Sequence, residues 1–137
     1  MKKLLVVVGP TAVGKSAFAL SVAKLLPVEI VSADSRQIYQ HLSIGIGKPT
    51  VDDRDSVKHH LVDFLEPDGE YSVSHFIQDA KLAIADIHSK SVVPILVGGT
   101  GQYVWALVEG WNVPLVPPNL ALGNPSLQKC SIYYGKN

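Results

Sequence analysis

An α/β fold built on a parallel sheet follows from three features of this 137-residue chain. A short apolar stretch, Lys2 to Val8, runs into the turn Gly9-Pro10-Thr11-Ala12-Val13-Gly14-Lys15-Ser16 and then into a helical stretch, Ala17 to Leu26. A second apolar run, Val28 to Ala33, completes a strand–helix–strand unit, which implies parallel strands. A third run, Val92 to Val97, ends in another glycine turn, Gly98-Gly99-Thr100-Gly101. In such sheets ligands gather outside the carboxyl ends of the strands.

Composition narrows the class. Lys plus Arg and Asp plus Glu both number 12, so the formal charge is zero and the totals carry no electrostatic footprint for nucleic acid. A chain that is 47% hydrophobic and 18% charged suits a single folded unit with a buried sheet. Cys130 is the only cysteine, which excludes an internal disulfide and a cysteine-rich zinc site and favours a reducing, cytoplasmic setting. Lys2-Lys3 followed by Leu4 to Val8 imitates a signal peptide, but Lys15 and the glycines interrupt the apolar run too early. Ser91 to Val108 carries no charge, yet Pro94 and the Gly98–Gly101 cluster break it as a membrane span. A soluble protein with no membrane association is expected.

Lys2 to Val8 reads as a buried strand. The turn after it fits G-x-x-x-x-G-K-[ST], the phosphate-binding loop of Walker A type. Gly9, Pro10, Thr11, Ala12, Val13, Gly14, Lys15 and Ser16 are therefore expected to hold a di- or triphosphate. Glycines let backbone N–H groups converge on an anion, and the helix N-terminus adds its partial positive charge. Lys15 would reach the outer phosphate, and the Ser16 hydroxyl would ligate Mg²⁺. Pro27 stops the first helix at Leu26.

The strand Val28 to Ala33 ends at Asp34-Ser35-Arg36-Gln37, which puts Asp34 on the ligand edge. A carboxylate there suits a general base, an outer partner of Mg²⁺, or a cap for the next turn. Thr11 can hydrogen-bond a phosphate or Asp34. Ile44 to Pro49 reads as a loop, and Asp52-Asp53-Arg54-Asp55 as a solvated charge cluster starting a short helix. His59 to Phe64 reads as a short strand. Adjacent histidines on a strand point to opposite faces, so His59 and His60 cannot chelate one metal together.

Ser74 to Lys90 is the clearest amphipathic helix, with Phe76, Ile77, Ala80, Ala83, Ile84 and Ile87 at three- and four-residue steps and Ser72 or Ser74 as its cap. Val92 to Val97 reads as a strand with Pro94 near its beginning, and Gln102 to Val108 as a helix. Four of the nine prolines follow Trp111, and residues 119–137 show no periodicity.

The loop alone also fits a small nucleotide or metabolite kinase. Kinases stabilise the transferring phosphoryl group with arginines, and Arg36 and Arg54 are the only two here. No Asn-Lys-x-Asp guanine-reading motif occurs.

Taken together, Gly9–Ser16, Asp34-Ser35-Arg36-Gln37-Ile38-Tyr39, Ile44-Gly45-Ile46-Gly47-Lys48-Pro49, His59-His60-Leu61-Val62-Asp63 and Gly98-Gly99-Thr100-Gly101-Gln102-Tyr103 resemble, in this order, the N-terminal half of the tRNA dimethylallyltransferase (tRNA isopentenylpyrophosphate transferase) family. The similarity covers about residues 1 to 118, and adenylate dimethylallyltransferase shares part of it. The resemblance implies a P-loop NTPase-like three-layer α/β fold with a parallel sheet, truncated here, in a monomeric cytoplasmic enzyme. It implies transfer of a dimethylallyl group from dimethylallyl diphosphate to N6 of an adenine beside the tRNA anticodon, with Mg²⁺ bound at Ser16. It further implies catalytic roles for Asp34, Lys15 and Thr11, with Asp34 as general base. Asp34, Ser35, Arg36, Gln37 and Thr100 would face the tRNA adenine.

Two departures stand out. Ile46-Gly47 occupies the place where the family commonly has Thr-Ala, and the matching text fades after Val116-Pro117-Pro118-Asn119. The expectation is thus a partial prenyltransferase core over residues 1–118 and an irregular, frame-shifted tail over 119–137, with impaired activity. An inactive phosphate-binding remnant is the non-enzymatic alternative.

Overall fold

β1 (Leu5–Val8) leads through the phosphate-loop segment into α1 (Lys15–Ala23), and β2 (Val28–Ser32) follows Pro27. α2 (Val51–Ser56) and β3 (His59–His60) come next. The long α3 (Val73–Ser89), β4 (Val93–Gly98) and α4 (Gly101–Val108) complete the order. The computed structural model describes residues 2–10, 13–42, 47–99 and 101–110.

The four strands form one parallel sheet in the order β1-β4-β2-β3. Val8 lies opposite Gly98 and Ser32 opposite Val97, so three carboxyl ends come level at one edge. α1 covers one face, where Ala19 packs with Ile30, Ile95 and Val97. α3 and α4 cover the other, where Phe76, Ala80, Ile87, Tyr103 and Val104 pack with Val31 and Leu96. The three-layer expectation holds.

Two expectations need correction. The first strand is not buried: β1 is an outer strand of the sheet, and Leu5 and Val8 are 41% and 56% exposed. Apolarity marked it as a strand, but only strand order decides whether a neighbour covers it. The expected strand over His59 to Phe64 is only two residues long, because Leu61 and Asp63 take a φ of 62°, a left-handed conformation that ends the extended chain. Pro94 stands second in β4, one residue before pairing with β1 begins at Ile95.

The cap of α3 is Ser72. Its hydroxyl accepts from the His75 N–H at 3.3 Å, and the His75 ring accepts from the Ser72 N–H at 3.1 Å, a reciprocal capping box. Ser72→Ala is expected to destabilise the chain by about 1 kcal/mol in urea unfolding.

The two histidines separate as their alternation requires. His59 faces the α1 side, while His60 turns to the α3 side and meets Glu29 at 2.5 Å. Lys90 bridges Glu29 at 3.2 Å and Asp86 at 2.8 Å, tying the end of α3 to β2 and β3. Glu29, His60 and Asp86 bring one donor atom each within 4.8 Å of one another. The Lys90 ammonium already supplies the positive charge there.

Burial alone would raise the Glu29 carboxyl, but hydrogen bonds from His60 and Lys90 outweigh it and hold the group below its ordinary 4.5. A folded value below the unfolded one means that this contribution is full above pH 4.5 and fades as pH falls through the folded value. Glu29→Gln should therefore lower Tm near neutral pH, and the gap from wild type should close in acid. A gap that stays constant would contradict the pairing.

Candidate functional site

A cavity of about 360 Å³ opens at the carboxyl edge of the sheet. Gly14, Lys15 and Ser16 form one wall; Ser32, Asp34 and Gln37, at and beyond the end of β2, form another. Gly98 and Gly99 close it at the end of β4, and Gly47, Pro49 and His59 lie on the remaining side. Ala17, Ala19, Ile30 and Val97 give it an apolar floor.

Local geometry explains the glycines at two points. Gly14 is the N-cap of α1 with φ 95°, a conformation other residues adopt only with strain. A Cβ on Gly98 would stand 2.3 Å from the Ala33 carbonyl oxygen, because β4 ends directly against the chain leading from β2 to Asp34. The Ala33 N–H donates to Val97 O at 2.7 Å across the same seam.

The Lys15 ammonium donates to the carbonyls of Gly9 at 2.8 Å and Pro10 at 2.6 Å, curling over its own loop. Ser16 is exposed at the start of α1. Asp34 is 14% exposed, and its Oδ1 accepts from the Arg36 N–H at 2.9 Å, with Arg36 Nε 3.7 Å away. The carboxylate thus caps the turn that follows β2 while lining the cavity. Close by, burial, the neighbouring Tyr39 and the Asp34 charge push the Tyr103 hydroxyl up to about 12, so it stays protonated.

Gln37 is held from two sides. Its side-chain oxygen accepts from Ser32 Oγ at 2.9 Å, and its amide donates to Gly47 O at 3.0 Å. Of the residues expected in the site, Gly14, Lys15, Ser16, Asp34 and Gln37 line this one cavity. Gly9 and Pro10 join it through Lys15. Val13 is exposed on the loop, while Ser35 and Arg36 follow Asp34 in its turn. Thr11, Ala12 and Thr100 lie outside the described residues.

Ser32 is a cavity residue that sequence reasoning missed; of the adjacent histidines, for which a structural or substrate-edge role is the sequence expectation, His59 lines the cavity. His59 Nδ1 lies 2.8 Å from Val57 O, and burial pulls the ring below its ordinary 6.5. The imidazole is then neutral near pH 7; its Nδ1 carries the proton given to the carbonyl and its Nε2 is the acceptor. The period-two alternation of β3 was the available signal. The Ser16 hydroxyl and Asp34 carboxylate, two hard oxygen donors on one cavity, are a donor chemistry that fits Mg²⁺.

The family model for IPP transferase matches residues 37–129, well over half of the chain. The chain belongs to the IPP transferase family. Among its relatives, the tRNA dimethylallyltransferase of Herpetosiphon aurantiacus is 52% identical over 119 residues, covering 87% of this chain and 38% of that protein. The tRNA dimethylallyltransferase of Chloroflexus aggregans is 45% identical over 135 residues, covering 98% and 45%. The full-length tRNA isopentenylpyrophosphate transferase of Bacillus halodurans superposes with a TM-score of 0.80 at 39% identity, over 89% of this chain and 40% of that one. A eukaryotic dimethylallyltransferase acting on tRNA superposes at 0.75 with 34% identity, over 78% and 27%.

This IPP transferase chain spans about two-fifths of the length of the curated relatives it matches. Its parallel α/β sheet is the P-loop NTPase-like fold that the resemblance implied. No helix among the described residues is long and apolar enough to cross a membrane.

Proposed function

We propose that this chain carries the diphosphate-binding and proton-abstracting part of a dimethylallyl transfer to N6 of a tRNA adenine. The observation that carries the reading is the placement of Lys15 and Ser16 across one cavity from Asp34. The phosphate loop holds the diphosphate of dimethylallyl diphosphate. As the bond between carbon one and the bridging oxygen breaks, negative charge grows on the leaving pyrophosphate. Lys15 leaves the Gly9 and Pro10 carbonyls to meet it, joined by loop N–H groups. The adenine N6 forms the new bond to carbon one, and Asp34 takes its proton.

Ser16, with Asp34 nearby, would hold Mg²⁺, which supplies further charge neutralisation to the leaving group. Ser35, Arg36, Gln37 and Thr100 are assigned to the adenine side, and Thr11 to the loop. The base must leave its stack to reach this edge. The apolar floor of Ala17, Ala19, Ile30 and Val97 suits a hydrocarbon tail better than a second charged substrate. A kinase would call for arginines on the transferring group; Arg54 is instead engaged with Asp63 at 3.4 Å, and Arg36 has its Nε 3.7 Å from Asp34.

Asp34→Asn separates the roles. It should leave dimethylallyl diphosphate affinity within about twofold and cut tRNA-dependent pyrophosphate release at least ~100-fold. Loss of diphosphate affinity in this variant would instead assign Asp34 to holding the Mg²⁺ that neutralises the diphosphate, not to the N6 proton.

A further inference from the structure

Opposite the phosphate loop, the segment carrying Arg36 and Gln37 has no regular secondary structure of its own, yet many bonds converge on it from residues 63–65. The Asp63 N–H donates to Gln37 O at 2.8 Å, and the Phe64 and Leu65 N–H groups both reach Ile38 O at 2.9 Å. The Gln40 N–H returns to Leu65 O at 2.7 Å, and Tyr39 and Leu65 form a parallel bridge. One side chain locks this seam. The Asp63 carboxylate takes Lys48 Nζ on Oδ1 at 2.8 Å and Arg54 Nη1 on Oδ2 at 3.4 Å. Lys48, only 6% exposed, also donates to the Tyr39 carbonyl. It adjoins Gly47, whose carbonyl holds the Gln37 amide.

We propose that Asp63 is a positioning residue: through Lys48 and its own N–H it sets where residues 36–40, and the Gln37 side chain, stand against the cavity. Two segments without helix or strand, carrying Lys48 and Tyr39, are drawn together at this carboxylate with Arg54 of the short helix α2. A site whose reading groups sit on loops needs such a second layer to hold them. The φ of 62° at Asp63 aims its N–H and carboxylate at different partners at once, a conformation that Asp and Asn tolerate better than most residues. Only the contact that Gln37 makes with substrate rests on the proposed function; the positioning is a property of the free chain.

Asp63→Asn is the sharp variant, since Asn keeps the backbone preference and an acceptor oxygen while removing the charge. The test is NMR on the full chain without ligand. In the variant, the slowly exchanging Lys48 ammonium signal should vanish and the Gln37 side-chain amide should shift. Backbone exchange at Gln40 and Leu65 should quicken at least tenfold, with β2 and β4 amides within about twofold of wild type. A purely stabilising ion pair predicts the reverse: a lower Tm with Gln37 and Gln40 signals unmoved, and that result overturns the proposal. Arg54→Ala and Lys48→Met cover the case in which Asp63→Asn does not fold. Arg54→Ala removes only the longer of the two partners and should leave Gln40 exchange within about twofold of wild type, whereas Lys48→Met, which takes away the link from Asp63 to the Tyr39 carbonyl, should quicken it at least ~tenfold; no change in Lys48→Met also overturns the proposal.

Discussion

Gly98→Ala is expected to destabilise the chain by about 3 kcal/mol, at the upper end of ordinary overpacking, because its new methyl meets backbone rather than a yielding side chain. The added carbon would stand 2.3 Å from Ala33 O, 2.6 Å from Ala33 Cβ and 2.7 Å from Ala33 C. Relief requires β4 to part from the chain beyond β2, which breaks the 2.7 Å Ala33–Val97 hydrogen bond and moves Asp34 with it. A natural domain holds only about 5–15 kcal/mol in total, so this one methyl removes a large share. Gly99→Ala is the matched control. Its Cβ would meet Gly9 O at 3.6 Å and Lys15 Nζ at 3.8 Å, ordinary contacts, so the cost should stay under about 1 kcal/mol. Urea midpoints for the two variants measure the difference. Equal losses would mean that the β4–Ala33 seam is not as close as described.

Lys15→Met carries the second large effect, this time on binding. The ammonium rests on two loop carbonyls, at 2.8 and 2.6 Å, so under the proposed function it need only turn to meet a diphosphate in the loop. Charge-assisted hydrogen bonds contribute about 1.5–3 kcal/mol each, and losing the cation should weaken pyrophosphate binding at least ~100-fold. The Tm of the free chain should fall by only a few degrees, because what folding loses is two hydrogen bonds to loop carbonyls that water can replace. A Tm loss with intact pyrophosphate affinity would reassign Lys15 to structure.

What the sequence makes legible follows from short-range periodicity. Phe76, Ile77, Ala80 and Ile87 repeat at helical steps and are buried. The turns at Gly14 and Gly98 mark strand ends, and a parallel sheet necessarily brings such ends to one edge. The opposed directions of His59 and His60 follow from alternation alone. Strand order does not, which is why β1, as apolar as β4, was expected buried and stands at the border. The Asp63 brace was equally hidden. Its partners lie 15 and 9 residues away in segments without periodicity, and a left-handed residue between them has no signature beyond the residue type. Lys48 reads as an ordinary surface lysine until folding buries it.

The proposed function requires this cavity to hold a prenyl diphosphate rather than a nucleoside triphosphate. Calorimetric titration of the full chain with dimethylallyl diphosphate and with ATP, each with Mg²⁺, tests it most directly. We predict saturable dimethylallyl diphosphate binding that pyrophosphate displaces and that is at least tenfold tighter than ATP binding. Tight ATP binding with no measurable affinity for dimethylallyl diphosphate would contradict it.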